Sequence, residues 1–273
     1  MAGCKWKAAM RTVTNISECV ALATELKQAW FPHEPTWGPW FRGQGNVAWK
    51  LAPKLYRVKP PKRGIRIIED EIRQEFIMRA PGLADTGSLN SWEWYFMMQH
   101  FGAPTRLLDW TEGALIALYF AVRDSKGDND AAIWILDPWW LNKRVVNERE
   151  VIPPGAEIGI STPDSDRYRP WLPDRYSTDK LPTLPVAVYP THSARRISTQ
   201  RSCFTIHGSD EDALETLAGE PDAHIAKVTV PRTEIPTIKE QLAVAGVDEV
   251  TIFPDLDGLG RYLSTVLQSE VDA

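Results

Sequence analysis

The residues of this chain best suited to chemistry are a strand-end arginine and a dense run of polar residues about sixty positions later. In Trp40-Phe41-Arg42-Gly43-Gln44, apolar residues run into an arginine and then into glycines at 43 and 45. An arginine placed there can reach an anion. Its planar fork matches phosphate or carboxylate, and neighbouring glycines let backbone N–H groups come close. Arg42, Gly43 and Gln44 are therefore candidate ligand-binding residues. A plainer reading stands beside this one, in which Arg42 forks onto a buried carboxylate or onto carbonyl groups and pins the strand.

The second stretch is Gln99-His100-Phe101-Gly102-Ala103-Pro104-Thr105-Arg106-Leu107-Leu108-Asp109-Trp110-Thr111. Gly102 and Pro104 predict a sharp turn between two helices, which gathers His100, Thr105, Arg106, Asp109 and Thr111 into one small volume. Asp109 and His100, the carboxylate and the imidazole of this group, are the catalytic candidates. Thr105, Arg106 and Thr111 are candidate ligand contacts. Each also has a structural explanation: Asp109 or Thr111 caps the next helix, Arg106 pairs with Asp109, and His100 is a satisfied, partly buried histidine. Capping needs one residue, and this stretch supplies several more polar groups than that. Arg196 and Gln200, on a strand-like segment, could complete an anion cradle, although a solvated basic edge strand explains them equally.

The elements that must position these residues follow from periodicity and punctuation. Helices are expected at 18–30, capped by Asn15 or Ser17, at 65–79 and at 91–101, with an apolar helix at 114–122 after a tight connection at 105–111. Strands are expected at 40–44, 131–136, 186–189, 225–230 and 250–253, and helices at 210–217, 235–244 and 256–267. Between 137 and 185 no period is sustained, which predicts an ordered excursion or a lid. The whole reads as an α+β protein, one mixed α/β domain with a central strand core flanked by helices. A helical segment at 1–37 packs on a domain at 38–273.

Composition narrows the function classes. A net charge of −5 argues against extended nucleic-acid binding, which needs a concentrated basic face. Three cysteines without paired spacing, and no clustered Asp, Glu and His set, indicate neither a disulfide framework nor a metal site. The apolar runs are too short to span a bilayer, so a cytoplasmic location is expected. Twelve tryptophans leave some available to line a groove.

Four stretches resemble the FRG domain, a family known by its Phe-Arg-Gly signature. They are Phe41 to Gln44, Gln99 to Thr111, Arg196 to Gln200 with Phe204, and Ile252 to Leu259, in the expected order. The resemblance implies a bacterial or phage setting and a link to host–phage conflict. A more distant likeness to ADP-ribosyltransferases, whose first core strand carries an arginine or histidine that anchors NAD, matches Arg42 in type and position. It implies NAD as substrate, phosphates held by Arg42, Arg106 and Arg196, and a carboxylate near the anomeric carbon. Those enzymes carry a glutamate on a later strand, and the segment Gln200 to Phe204 has no acid, so Asp109 would serve instead. The alternative is a non-catalytic module that binds a phosphate-bearing small molecule or a protein partner.

Overall fold

A computed structural model describes residues 11–58, 62–125, 128–151, 153, 168–173, 180–190 and 201–272, with side chains described through 267. Among these residues seven strands form one mixed sheet in the order β1-β7-β4-β2-β3-β6-β5. The strands are β1 (Arg11–Thr12), β2 (Trp40–Gln44), β3 (Leu107–Thr111), β4 (Ala131–Leu136), β5 (Val186–Val188), β6 (Ser202–Ile206) and β7 (Ile225–Val230). The helices are α1 (Ile16–Trp30), α2 (Ile65–Arg79), α3 (Ser91–His100), α4 (Ala114–Arg123), α5 (Pro138–Val146), α6 (Ala213–Ala218), α7 (Ile235–Val244), α8 (Glu249–Ile252) and α9 (Leu256–Asp272). The α+β class and the strand core flanked by helices are as the sequence predicts.

Both faces of the sheet are covered, which is why every residue of β4 is buried. One face of the β2–β4–β7 half packs under α1, α4 and α7, with Phe41, Ile133, Ile135 and Val228 among the residues in that cluster. The opposite face carries Trp40, Leu108, Trp110 and Trp134 against α5 and α6. A third cluster, from α3 with Leu107, Phe204 and Ile206, covers the β3–β6–β5 half.

The sheet is weakly joined at its centre. β2 pairs with β4 through five residues and β3 with β6 through five, whereas β2 and β3 share the single pair Phe41↔Thr111. Phe41 and Thr111 therefore lie on one face, and strand alternation places Gly43 and Asp109 on that face too. On this face α4 covers one half of the sheet and α3 the other, and the ground between them is open.

Three expectations are corrected. The segment expected as a tight connection at 105–111 contains β3, because its pairing partner lies nearly a hundred residues away and supplies the full ladder. The strand expected at 250–253 is helix α8, started by a capping box in which Asp248 accepts from Thr251 N and the Thr251 hydroxyl accepts from Asp248 N. The excursion at 137–185 opens with helix α5, where Asp137 is the N-cap and Pro138 takes the first helical position. Residues 152, 154–167 and 174–179 of that excursion lie outside the described residues.

Candidate functional site: a cleft at the split in the sheet

Strand β3 reads buried, buried, exposed, buried, buried, and the exposed residue is Asp109. It is exposed because it faces the opening between α3 and α4. The opening is a cleft of about 350 Å³ lined by Phe41, Arg42 and Gly43 of β2, Gln99 and His100 of α3, Asp109 to Thr111 of β3, Phe120, Arg123 and Asp124 at the end of α4, Ser202 and Phe204 of β6, and Phe253.

Arg42 bridges the weak join. Its Nη1 donates to the Asp109 carbonyl at 2.7 Å and stands 3.9 Å from Asp109 Oδ2. The pinning role weighed for Arg42 is thus present, yet it uses little of the guanidinium. Among the described residues Arg42 makes this one hydrogen bond, and its buried Nε finds no acceptor. A buried donor without a partner carries a desolvation cost that a bound acceptor would remove. Burial lowers the Arg42 pKa to about 10, against the opposing charges of Asp109 and Asp124, and Arg57 adds to the lowering.

Asp109 is the carboxylate of the cleft. Its side chain is 56% exposed, and Oδ2 accepts from Gln99 Nε2 at 2.8 Å. Oδ1 takes no hydrogen bond among the described residues and is left open. Helix capping does not explain Asp109, since the N-cap of α4 is Gly113 with no side-chain cap. Thr111 lines the cleft and its hydroxyl accepts from Gly113 N at 3.1 Å. His100 is half-buried on the cleft wall, edge-on to Phe101.

At the other wall Arg123 and Arg261 both stack on Phe253, with centroid distances of 4.7 and 4.8 Å. Both arginines also pair with Glu249, which accepts from the Tyr119 hydroxyl as well. Burial acts to raise Glu249, but the Tyr119 hydrogen bond and the two arginines outweigh it and hold the carboxyl below its ordinary value. Asp124 is raised instead, by burial, with Arg123 and Arg42 resisting.

Several expected contacts fall elsewhere. Arg106 is fully buried, and its Nε pairs with the equally buried Glu69 at 2.6 Å. Its Nη1 donates to the His207 carbonyl at 2.7 Å and its Nη2 to the Trp171 carbonyl. Fully buried and absent from the cleft lining, it does not reach a ligand there, and it does not pair with Asp109. Burial works to lower its pKa, and Glu69, with Tyr95 and Tyr56, overrides this and raises it.

Thr105 is buried and does not line the cleft, and Gln44 lies on the opposite side, where it donates to the Lys50 carbonyl and accepts from Trp134 Nε1. Gly43 serves packing first: a Cβ there would lie 1.9 Å from the Ala117 carbonyl oxygen of α4. Arg196 and Gln200 lie outside the described residues; their neighbour Arg201 pairs with Glu112 at 3.4 Å.

Residues 38–130 match the family model of the FRG domain. This stretch of the chain is similar to the FRG domain. The match covers about a third of the chain and takes in β2, α3, β3 and α4, hence Arg42, His100, Asp109 and Arg123. Ser202, Phe204 and Phe253 complete the cleft from beyond it. No curated protein and no solved structure matches the chain.

Sequence reasoning missed Gln99, Arg123, Asp124 and Phe253 as cleft residues. Gln99 was legible as the first residue of the second motif. Arg123 and Asp124 were not, because they enter the cleft only through the phase of α4 against β2. Among the described residues no group of His, Cys, Asp and Glu is arranged to hold a metal ion, and no helix is long and apolar enough to cross a membrane.

Proposed function

We propose that the split between β2 and β3 binds a nucleotide-class ligand, NAD in the first place, and that this FRG domain breaks its nicotinamide–ribose bond in the manner of ADP-ribosyltransferases. The observation that carries the reading is the juxtaposition of Arg42, with spare donors, and the open Oδ1 of Asp109 at one aromatic-walled cleft. Arg42 supplies the fork for phosphate. Phe120, Phe204 and Phe253 offer apolar surface to a ring.

In the reaction the C–N bond to nicotinamide breaks, its electron pair leaves with the ring nitrogen, and positive charge develops on the ribose. Asp109 Oδ1 stabilises that charge. The acceptor's nucleophile then forms the new bond at the same carbon and gives up its proton, which His100 stands on the cleft wall to take. The setting of phage conflict implied by the resemblance belongs to the same reading.

A second reading has its own observation. Strand β6 presents Ser202 and Phe204 to the cleft and no carboxylate, which suits a module that binds a phosphate-bearing ligand without chemistry. One experiment separates the two: nicotinamide release from NAD by wild type, Asp109→Asn and Arg42→Ala, with ligand binding followed by thermal shift. Asp109→Asn keeps the fold and the thermal shift and loses at least roughly a hundredfold in turnover. Wild type that binds NAD and releases no nicotinamide with any acceptor overturns the enzymatic reading in favour of the module.

A further inference from the structure

A chain of polar groups runs beneath the cleft and ends on Asp109. The backbone N–H of Leu107 donates to the Thr105 hydroxyl oxygen at 3.1 Å. The Thr105 hydroxyl donates to Gln99 Oε1, and Gln99 Nε2 donates to Asp109 Oδ2 at 2.8 Å. Its direction is fixed from both ends, because the backbone N–H of Leu107 can only donate and the Asp109 carboxylate can only accept. Thr105 Oγ1 is therefore an acceptor from Leu107, and its own proton is left for Gln99. The Gln99 amide oxygen is thereby committed as an acceptor, and its NH₂ group faces the carboxylate. Reversing the amide would set Oε1 against Asp109 Oδ2, two acceptors with no proton between them, and would leave the buried Thr105 hydroxyl facing a second donor.

We propose that Gln99 is the positioning residue for the Asp109 carboxylate and that Thr105 is the lock on its amide. Gln99 hydrogen-bonds Oδ2, which also faces the Arg42 charge at 3.9 Å, so Oδ1 is the oxygen presented to the ligand. This rests on the reading of Asp109 as the reactive carboxylate, and it accounts for a buried threonine and a glutamine that the sequence left as a ligand contact and an unassigned neighbour. A merely structural tie between α3 and β3 would need the hydrogen bonds but not their direction.

The test uses the whole chain with Thr105→Val, which keeps the side-chain shape and removes the hydroxyl, and Thr105→Ser, which restores it. The first readout needs no activity: solvent exchange of the Gln99 side-chain amide protons by ¹⁵N–¹H NMR. Exchange rises about tenfold in Thr105→Val, the scale of one lost hydrogen bond, and returns to the wild-type rate in Thr105→Ser. The second is nicotinamide release, where Thr105→Val lowers kcat about tenfold with KM for NAD within about twofold, as befits a loss felt in the transition state. Thr105→Ala serves where the valine variant does not fold. Unchanged amide exchange in the valine variant, failure of serine to restore it, or a loss confined to KM overturns the assignment. Wild type that releases no nicotinamide overturns the enzymatic reading instead, and the amide exchange still decides the lock.

Discussion

The guanidinium of Arg42 donates to the backbone carbonyl of Asp109 at 2.7 Å, across the place where β2 and β3 keep one registered pair. A side chain here does part of the work that a strand ladder does elsewhere in the sheet. Its remaining donors make no hydrogen bond among the described residues. Arg42→Ala is therefore expected to cost about 1.5–3 kcal/mol, the range for a hydrogen bond involving a charged group, and also to abolish the thermal shift given by NAD. Denaturant melts with and without ligand measure both. A variant that keeps the full ligand shift removes Arg42 from the binding site.

Gly43 is where helix α4 touches the sheet. Its missing Cβ would lie 1.9 Å from the Ala117 carbonyl oxygen and 2.5 Å from Ala121 N, both backbone atoms that cannot turn aside. Gly43→Ala should cost about 3 kcal/mol or more and widen the cleft by pushing α4 outward. Gly38→Ala, where nothing lies within 4 Å, is the control and should stay within about 0.5 kcal/mol of wild type.

The buried pair Glu69–Arg106 is a structural fastener. Glu69→Ala leaves the Arg106 charge uncompensated in the interior, at a cost of about 3–5 kcal/mol in chemical denaturation. In the fraction that remains folded, NAD affinity should match wild type, since Arg106 does not line the cleft. Weakened binding by folded protein would return Arg106 to the site.

His207 makes stability depend on pH. Burial, reinforced by the charges of Arg106 and Arg42, pushes its pKa down to about 3 from an ordinary 6.5, and neither ring nitrogen has a hydrogen-bond partner among the described residues. The folded protein keeps this imidazole neutral while the unfolded chain takes up a proton below pH 6.5. The His207 contribution is therefore fully present above that pH and falls by about 1.4 kcal/mol per pH unit as pH drops towards 3. Urea melts of wild type and His207→Leu between pH 7 and pH 4.5 measure the difference in slope; equal slopes would show that His207 is not the titrating group.

Local rules made much of the fold readable. Helix α2, strands β2, β4 and β7, and helix α7 carry their boundaries in apolar period and punctuation, and Asp255 accepting from Gly258 N at the start of α9 follows from helix-end chemistry. Strand β3 did not show itself, because five residues interrupted by Asp109 have no period of their own; their identity as a strand comes from β6. Val250, Ile252 and Phe253 suit strand or helix alike, and the capping box at Asp248 decides for helix α8.

The sequence by itself determined the residue types of the site: an arginine at a strand end and a polar surplus around Asp109, with the FRG signature to mark them. It could not divide that surplus. Arg106 and Asp109 are three positions apart on one strand segment, and one is sealed in the core while the other faces the cleft. Strand alternation alone would put both charges on opposite faces of the sheet without saying which face is open. Tertiary packing made that choice: α4 closes on Gly43, α3 covers Leu107, and the single pair between β2 and β3 leaves the gap that Arg42 spans. A buried charge needs a partner, and Glu69, thirty-seven residues earlier on α2, supplied one to Arg106. Pairing over such distances depends on how helices dock, and no local pattern of residues carries it.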